Sequence, residues 1–189
     1  MKLHRLLAVV FMFAFAAAAN GQTRDSRLEG CPNPATIAAA LEKVQHSRWQ
    51  DLTVKRVQSM WPTELLGASC DTVACSSIES KGRIIDGRYE CSEAFQFDVK
   101  RDGERATEQL NNIVIHYSAS DRKSTTEAMK TMARAVGLSD SDLQQISGEE
   151  SQRDFHWDSA EGELSTLFVE FGHKGTAWTG TLRLSHFLK

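Results

Sequence analysis

From Cys31 onward, apolar residues recur along the chain with two different periods. Ile37, Ala40, Leu41 and Val44 keep the spacing of one helix face, with Asn33 placed as N-cap and Pro34 at the first helical position. This predicts a helix that ends near Ser47. Leu52, Val54 and the residues up to Trp61 predict a first strand that Pro62 closes, flanked by Trp49 and Trp61 at the same parity. Those two tryptophans read as the edge of a core rather than as a sugar platform. Residues 63–72 read as loop or short helix. Strands are then predicted over 73–80, 83–100 and 105–118, the last two joined through Asp102-Gly103; Phe95, Phe97 and Val99 alternate with polar neighbours, as do Ile113, Ile115 and Tyr117 with Val114 and His116.

A helical period returns with Met129, Met132, Ala133 and Val136, opened by a capping-box spacing at Ser124 and Glu127 and stopped by Gly137. Ser139 and Asp142 predict a shorter helix, with Leu138 and Leu143 as its hydrophobic staple and Gly148 as its stop. Residues 148–151 form the linker candidate. Strands over 152–158, 163–173 and 177–188 make a second meander, turning at 159–162 and at Lys174-Gly175. The expected class is α+β, with helices packed on antiparallel sheet and the order suggesting two similar helix-plus-meander halves, 31–119 and 120–189, of a single domain. No residue-level repeat supports a duplication.

Lys2, His4 and Arg5 followed by the apolar run 6–19 and small residues have the order of a cleaved secretory signal, so 1–21 is read as a signal peptide and 22–189 as the exported domain. Cleavage after Ala19 fits the Ala17-Ala18-Ala19 triplet, and cleavage before Gln22 is the favoured alternative. Losing Lys2 and Arg5 takes the formal net charge from −3 to −5. That disfavours nucleic acid and anionic membrane as partners, because phosphate binding needs clustered Lys and Arg. The apolar run is too short to span a bilayer of about 20 helical residues, so no membrane insertion is expected, and a periplasmic or secreted location is.

In an oxidising compartment the four cysteines, Cys31, Cys70, Cys75 and Cys91, are expected to form two disulfides. A chain reversal at Lys81-Gly82 would bring Cys70 and Cys75 near the row facing Cys91, joining Cys91 to one of them and Cys31 to the other. A tighter hairpin at Asp86-Gly87 is the competitor; it sets Ile85 opposite Arg88 and Cys75 opposite Asp98, and it forbids a Cys75 to Cys91 bridge. Both turns fit the sequence.

No nucleophile elbow, zinc helix, phosphate loop, dinucleotide fingerprint or EF-hand loop occurs, and no carboxylate pair is set by its spacing for acid–base work. No catalytic, cofactor or metal residues are assigned. With Lys174-Gly175 as the turn, His173 lies beside Thr176 while His156 faces Ser165, too far from His186 for a shared ion. With Asp158 opposite Glu163, Phe155, Trp157 and Phe168 share the outer face of the last sheet. They form a candidate patch for a protein partner or apolar ligand, provided the first half leaves them uncovered. The sequence therefore points to an exported non-enzymatic binding or interaction module. The alternative is a small hydrolase assembled from distant loops, with His116 and His156 as leading bases. The processed chain is expected to begin near Gln22 without a lipid anchor; N-terminal mass analysis checks this, and an intact Met1 chain in the membrane fraction would contradict it.

Overall fold

The computed structural model describes residues 31–69, 75–80, 83–85, 88–102, 105–147, 152–158 and 164–187. The predicted signal peptide, the 148–151 linker and Cys70 lie outside them. Four helices, α1 (Pro34–Gln45), α2 (Val54–Met60), α3 (Arg122–Ala135) and α4 (Asp140–Gln145), accompany eight strands. The strands are β1 (Leu65–Ser69), β2 (Cys75–Ser80), β3 (Arg83–Ile85), β4 (Arg88–Asp102), β5 (Arg105–Ala119), β6 (Gln152–Asp158), β7 (Leu164–Lys174) and β8 (Ala177–Phe187). All described pairings are antiparallel, and the sheet runs β1-β2-β4-β5-β8-β7-β6 with β3 beside β4. The expected α+β class is what the chain adopts. Stretches 31–119 and 120–187 each run helix first and meander after, and they share one sheet because the final strand of each, β5 and β8, meet at its centre.

Helix ends follow local chemistry. Asn33 Oδ1 accepts the Ala35 amide at 2.9 Å and Pro34 opens α1, as the sequence predicts. In α3 the cap is Asp121 rather than Ser124: its carboxylate accepts both the Ser124 amide and hydroxyl at 2.8 Å, so Ser124 sits one turn inside. Gly137, at φ 101°, ends α3 while the amides of Gly137 and Leu138 bond back to Arg134 and Ala133, the paired bonds of a Schellman stop. The Ser139 and Asp142 capping box of α4 is present in both directions.

Two expectations in the first half fail. The stretch 52–61 holds α2, with a 3-10 turn (Trp49–Asp51) ahead of it, instead of a strand. Thr53 caps α2, and Val57 and Trp61 fall one turn apart on a buried face while Lys55, Arg56, Gln58 and Ser59 face outward. The stretch expected to be loop or short helix contains β1 instead, on the edge of the sheet. Between the two candidate turns, the structure takes the tighter one: Ile85 pairs with Arg88 and Cys75 with Asp98.

That register overturns the expected disulfide. Cys91 joins Cys31, 60 positions earlier in the chain, with Cα atoms 5.4 Å apart, and both residues are buried. The antiparallel step places Cys75 seven pairs from Cys91, out of bridging reach, while Cys31 enters just ahead of α1 above β4. The second expected bridge is left to Cys70 and Cys75, and Cys70 lies outside the described residues.

One face of the sheet is covered by the helices and forms the core. Ile78, Phe95, Ile113, Leu184 and Leu167 line up across five strands, each at most 1% exposed. Met129, Met132 and Ala133 of α3 close over them. At Gly180 the sheet comes close to α3: an added Cβ would lie 2.8 Å from both Cγ and Sδ of Met129. Gly180→Ala should therefore cost about 1–3 kcal/mol by overpacking, read as a lowered melting temperature. In a thermal-melt cycle the double change with Met129→Ala should lose less than the sum of the two single changes, because the smaller side chain removes the overlap.

Candidate functional site

The other sheet face is open, and one break in its regularity makes a cavity. Along β4 and β5 the register is continuous from Ser92 opposite His116 to Gln96 opposite Asn112, then jumps so that Phe97 faces Leu110. Asn111 is the extra residue of a β-bulge. Pairing of β5 with β8 stops at the same point, its last pair being Asn112 with Ser185. Beyond it β5 continues alongside β4, whereas His186 and Phe187 of β8 continue alongside β7. The two halves of the sheet part there, and the Leu110 amide, which has no strand partner on that side, donates to the Leu52 carbonyl at 3.1 Å. The resulting cleft, of about 430 Å³, is lined by Gln96, Asp98, Gln109, Leu110, Asn111, Asn112, Ser185, His186 and Phe187. That volume lies within the usual range for a small-ligand site.

Its polar side chains are held by one another. Ser185 Oγ donates to Asn112 Oδ1 at 3.1 Å, and Asn112 Nδ2 donates to Gln96 Oε1 at 2.9 Å. Across the bulge Asn111 Nδ2 donates to Asp98 Oδ1 at 2.6 Å, and Asn111 Oδ1 is buried with no partner. The inner end of the cleft is closed by His186, whose ring stacks on Trp49 with centroids 4.5 Å apart and shares a 3.1 Å hydrogen bond between Nδ1 and Ser165 Oγ. Phe187 stands at the rim, 54% exposed, opposite Leu164 on β7.

Phe155, Trp157 and Phe168 do not form the expected patch. Asp158 pairs with Leu164 rather than Glu163, and that one-residue slip puts Phe155 and Phe168 on opposite faces of the sheet. Phe155 pairs with Leu167 and packs against the core, Trp157 pairs with Ser165, and Phe168 remains on the open face beneath the Arg183 guanidinium, 5.8 Å from its ring centroid. The β7–β8 register differs from expectation by an even step, with Lys174 opposite Ala177 across a turn where Gly175 takes φ 61°, so the faces of those two strands stay as predicted. His173 consequently pairs with Trp178 and His156 with Thr166.

The candidate bases are apart as well. His116 bonds Thr181 at 3.0 Å on the open face, and His156 is exposed on edge strand β6. The Ser165–His186 contact is a serine beside an imidazole, but Ser165 is 2% exposed and offers a substrate carbonyl no approach. Among the described residues, no three of His, Cys, Asp and Glu gather in a group that could hold a metal ion. No described helix is long and apolar enough to cross a membrane.

The cleft residues escaped sequence reading because amides on an open strand face look like an ordinary solvated surface. One signal was available. Leu110 is apolar at an even position while Ile113, Ile115 and Tyr117 are apolar at odd ones, and Asn111-Asn112 lies between, which is the mark of an inserted residue. Comparison with protein-family models, with curated proteins and with solved structures finds no match to the chain.

One buried acid lies apart from the cleft. Glu93 projects from β4 into the core between Cys91 and Phe95 and is 2% exposed, and Ser80 Oγ accepts its backbone amide at 2.9 Å. Burial pushes its carboxyl above the ordinary glutamate range, with hydrogen bonds to the carboxyl from the Ser80 side chain and from the Glu93 backbone pulling only partly the other way. The folded state therefore holds this proton more tightly than the unfolded chain does. The associated stability is fully present below the unfolded pKa and is lost as pH rises through the raised folded one. Glu93→Gln should flatten that decline in urea midpoints measured from about pH 4 to about pH 8. An equal decline in the variant would place its source elsewhere.

Proposed function

We propose that the protein is an exported, non-enzymatic binding module whose ligand enters the cleft between β5 and β8. The observation that carries this reading is the cleft itself: a concave site at which the sheet halves separate, with polar side chains locked by mutual hydrogen bonds. Such locking lowers the ordering cost that binding would otherwise incur. Export is supported by the order of charge and hydrophobicity in residues 1–21 and by the Cys31–Cys91 disulfide. The non-enzymatic part is supported by the separation of His116 and His156 and by the burial of Ser165.

Side-chain amide NMR of the processed protein against a chemically diverse fragment set tests the location. Binding fragments should move the NH2 signals of Gln96, Gln109, Asn111 and Asn112, and Asn112→Leu should abolish those shifts at a stability cost of about 1 kcal/mol or less, since the lost bonds are partly exposed. Fragments gathering around Phe168 and Arg183 instead would overturn the assignment. So would turnover of chromogenic ester or glycoside substrates that Ser165→Ala or His116→Ala removes.

A further inference from the structure

We propose that the ligand of this cleft is a neutral saccharide, stacked on Phe187 and hydrogen-bonded by Gln96, Asn112 and Asp98; the proposal rests on the cleft being the binding site. Charge narrows the class first. The lining contains no lysine or arginine, and its one carboxylate, Asp98, is exposed, so phosphate, sulfate or carboxylate groups would meet repulsion without compensation. An apolar ligand fares no better, because it would strip water from the amides of Gln96, Gln109 and Asn112 and leave them unpaired.

Asn112 uses its oxygen and one amide hydrogen within the chain from Ser185 to Gln96, which leaves it a second hydrogen, and Gln96 keeps both hydrogens of its Nε2. Asp98 spends Oδ1 on Asn111 and keeps Oδ2 as an acceptor. The site thus presents amide donors beside a carboxylate acceptor. A sugar hydroxyl is both acceptor and donor, and can take an amide hydrogen while giving its own to the carboxylate, which makes each bond charge-assisted or cooperative. The exposed ring of Phe187 at the rim supplies a flat apolar surface for the C–H face of a pyranose.

An extended peptide is the competing ligand chemistry, since an unpaired strand edge invites strand addition. Here the edge is blocked at the split itself: the Leu110 amide donates to Leu52 at 3.1 Å, so a strand added there would have to displace the chain between the 3-10 turn and α2.

The test titrates the ¹⁵N-labelled processed protein with maltotriose, cellotriose and triacetylchitotriose, and separately with a blocked, uncharged hexapeptide of alanine and asparagine. At least one trisaccharide should give saturable shifts of the Gln96 and Asn112 NH2 signals at millimolar concentration. Phe187→Ala, at an exposed position where folding is not at stake, should weaken that binding about tenfold. Shifts from the hexapeptide alone would overturn the saccharide class while leaving the cleft as the site. Silence of the cleft amides toward both probe sets, alongside a failed fragment screen, would overturn the site as well. Saccharide shifts that Phe187→Ala leaves unchanged would remove the stacking surface and with it this proposal.

Discussion

Hydrogen bonding between β5 and β8, from Ala119 opposite Trp178 to Asn112 opposite Ser185, turns two meanders into one sheet. Without that seam each meander would present a central strand as a naked edge, and α1 and α3 would have no shared floor. Because the seam is antiparallel and joins the final strands of both halves, it sets α1 beside α3 on the same face, where Leu41, Val44, Met129 and Met132 complete one core. Helix packing, strand order and the burial of the central row all follow from it. Its end coincides with a single inserted residue: the seam stops at Asn112, next to the Asn111 bulge.

Much of this architecture was legible because it rests on local chemistry. The Asn33-Pro34 start, the Gly137 stop and the Ser139 box each name the backbone groups they satisfy, and they hold wherever the chain folds. Strand faces were readable where alternation was clean, as with Leu167, Val169, Leu182 and Leu184. What failed depended on turn length. Asp158 pairs with Leu164 rather than Glu163, and that one-residue change of register carried Phe155 from the surface to the core. The cysteine pairing hinged on the same kind of choice, two turns a few residues apart with similar sequence support, and only the adopted register showed that Cys91 faces the segment ahead of α1. The stretch around Val54 misled for another reason, since a short run with few apolar positions fits either period and only the Thr53 cap favours the helix.

The cleft was nearly silent in the sequence because its specificity lies in a juxtaposition rather than in a motif. Gln96, Asn112 and Ser185 are far apart along the chain and become neighbours only through two registers taken together. Each is unremarkable alone. Together they form a hydrogen-bonded file across three strands, and the file lies where the backbone opens.

Central placement of β8 has a consequence for how the molecule comes together. Asn112 and Ser185, neighbours across the seam, are separated by 73 residues, so the middle of the sheet is its least local part. The meander β1 to β5, tied to the start of α1 by a covalent link, can organise while β8 is still distant, but it does so with β5 unpaired along the future seam. Closing such a contact carries a large loop entropy before any pairing repays it, which slows folding and leaves the half-formed sheet exposed to other strands. Trimming the chain back through β8 would accordingly not shorten an edge; it would divide the sheet through its centre.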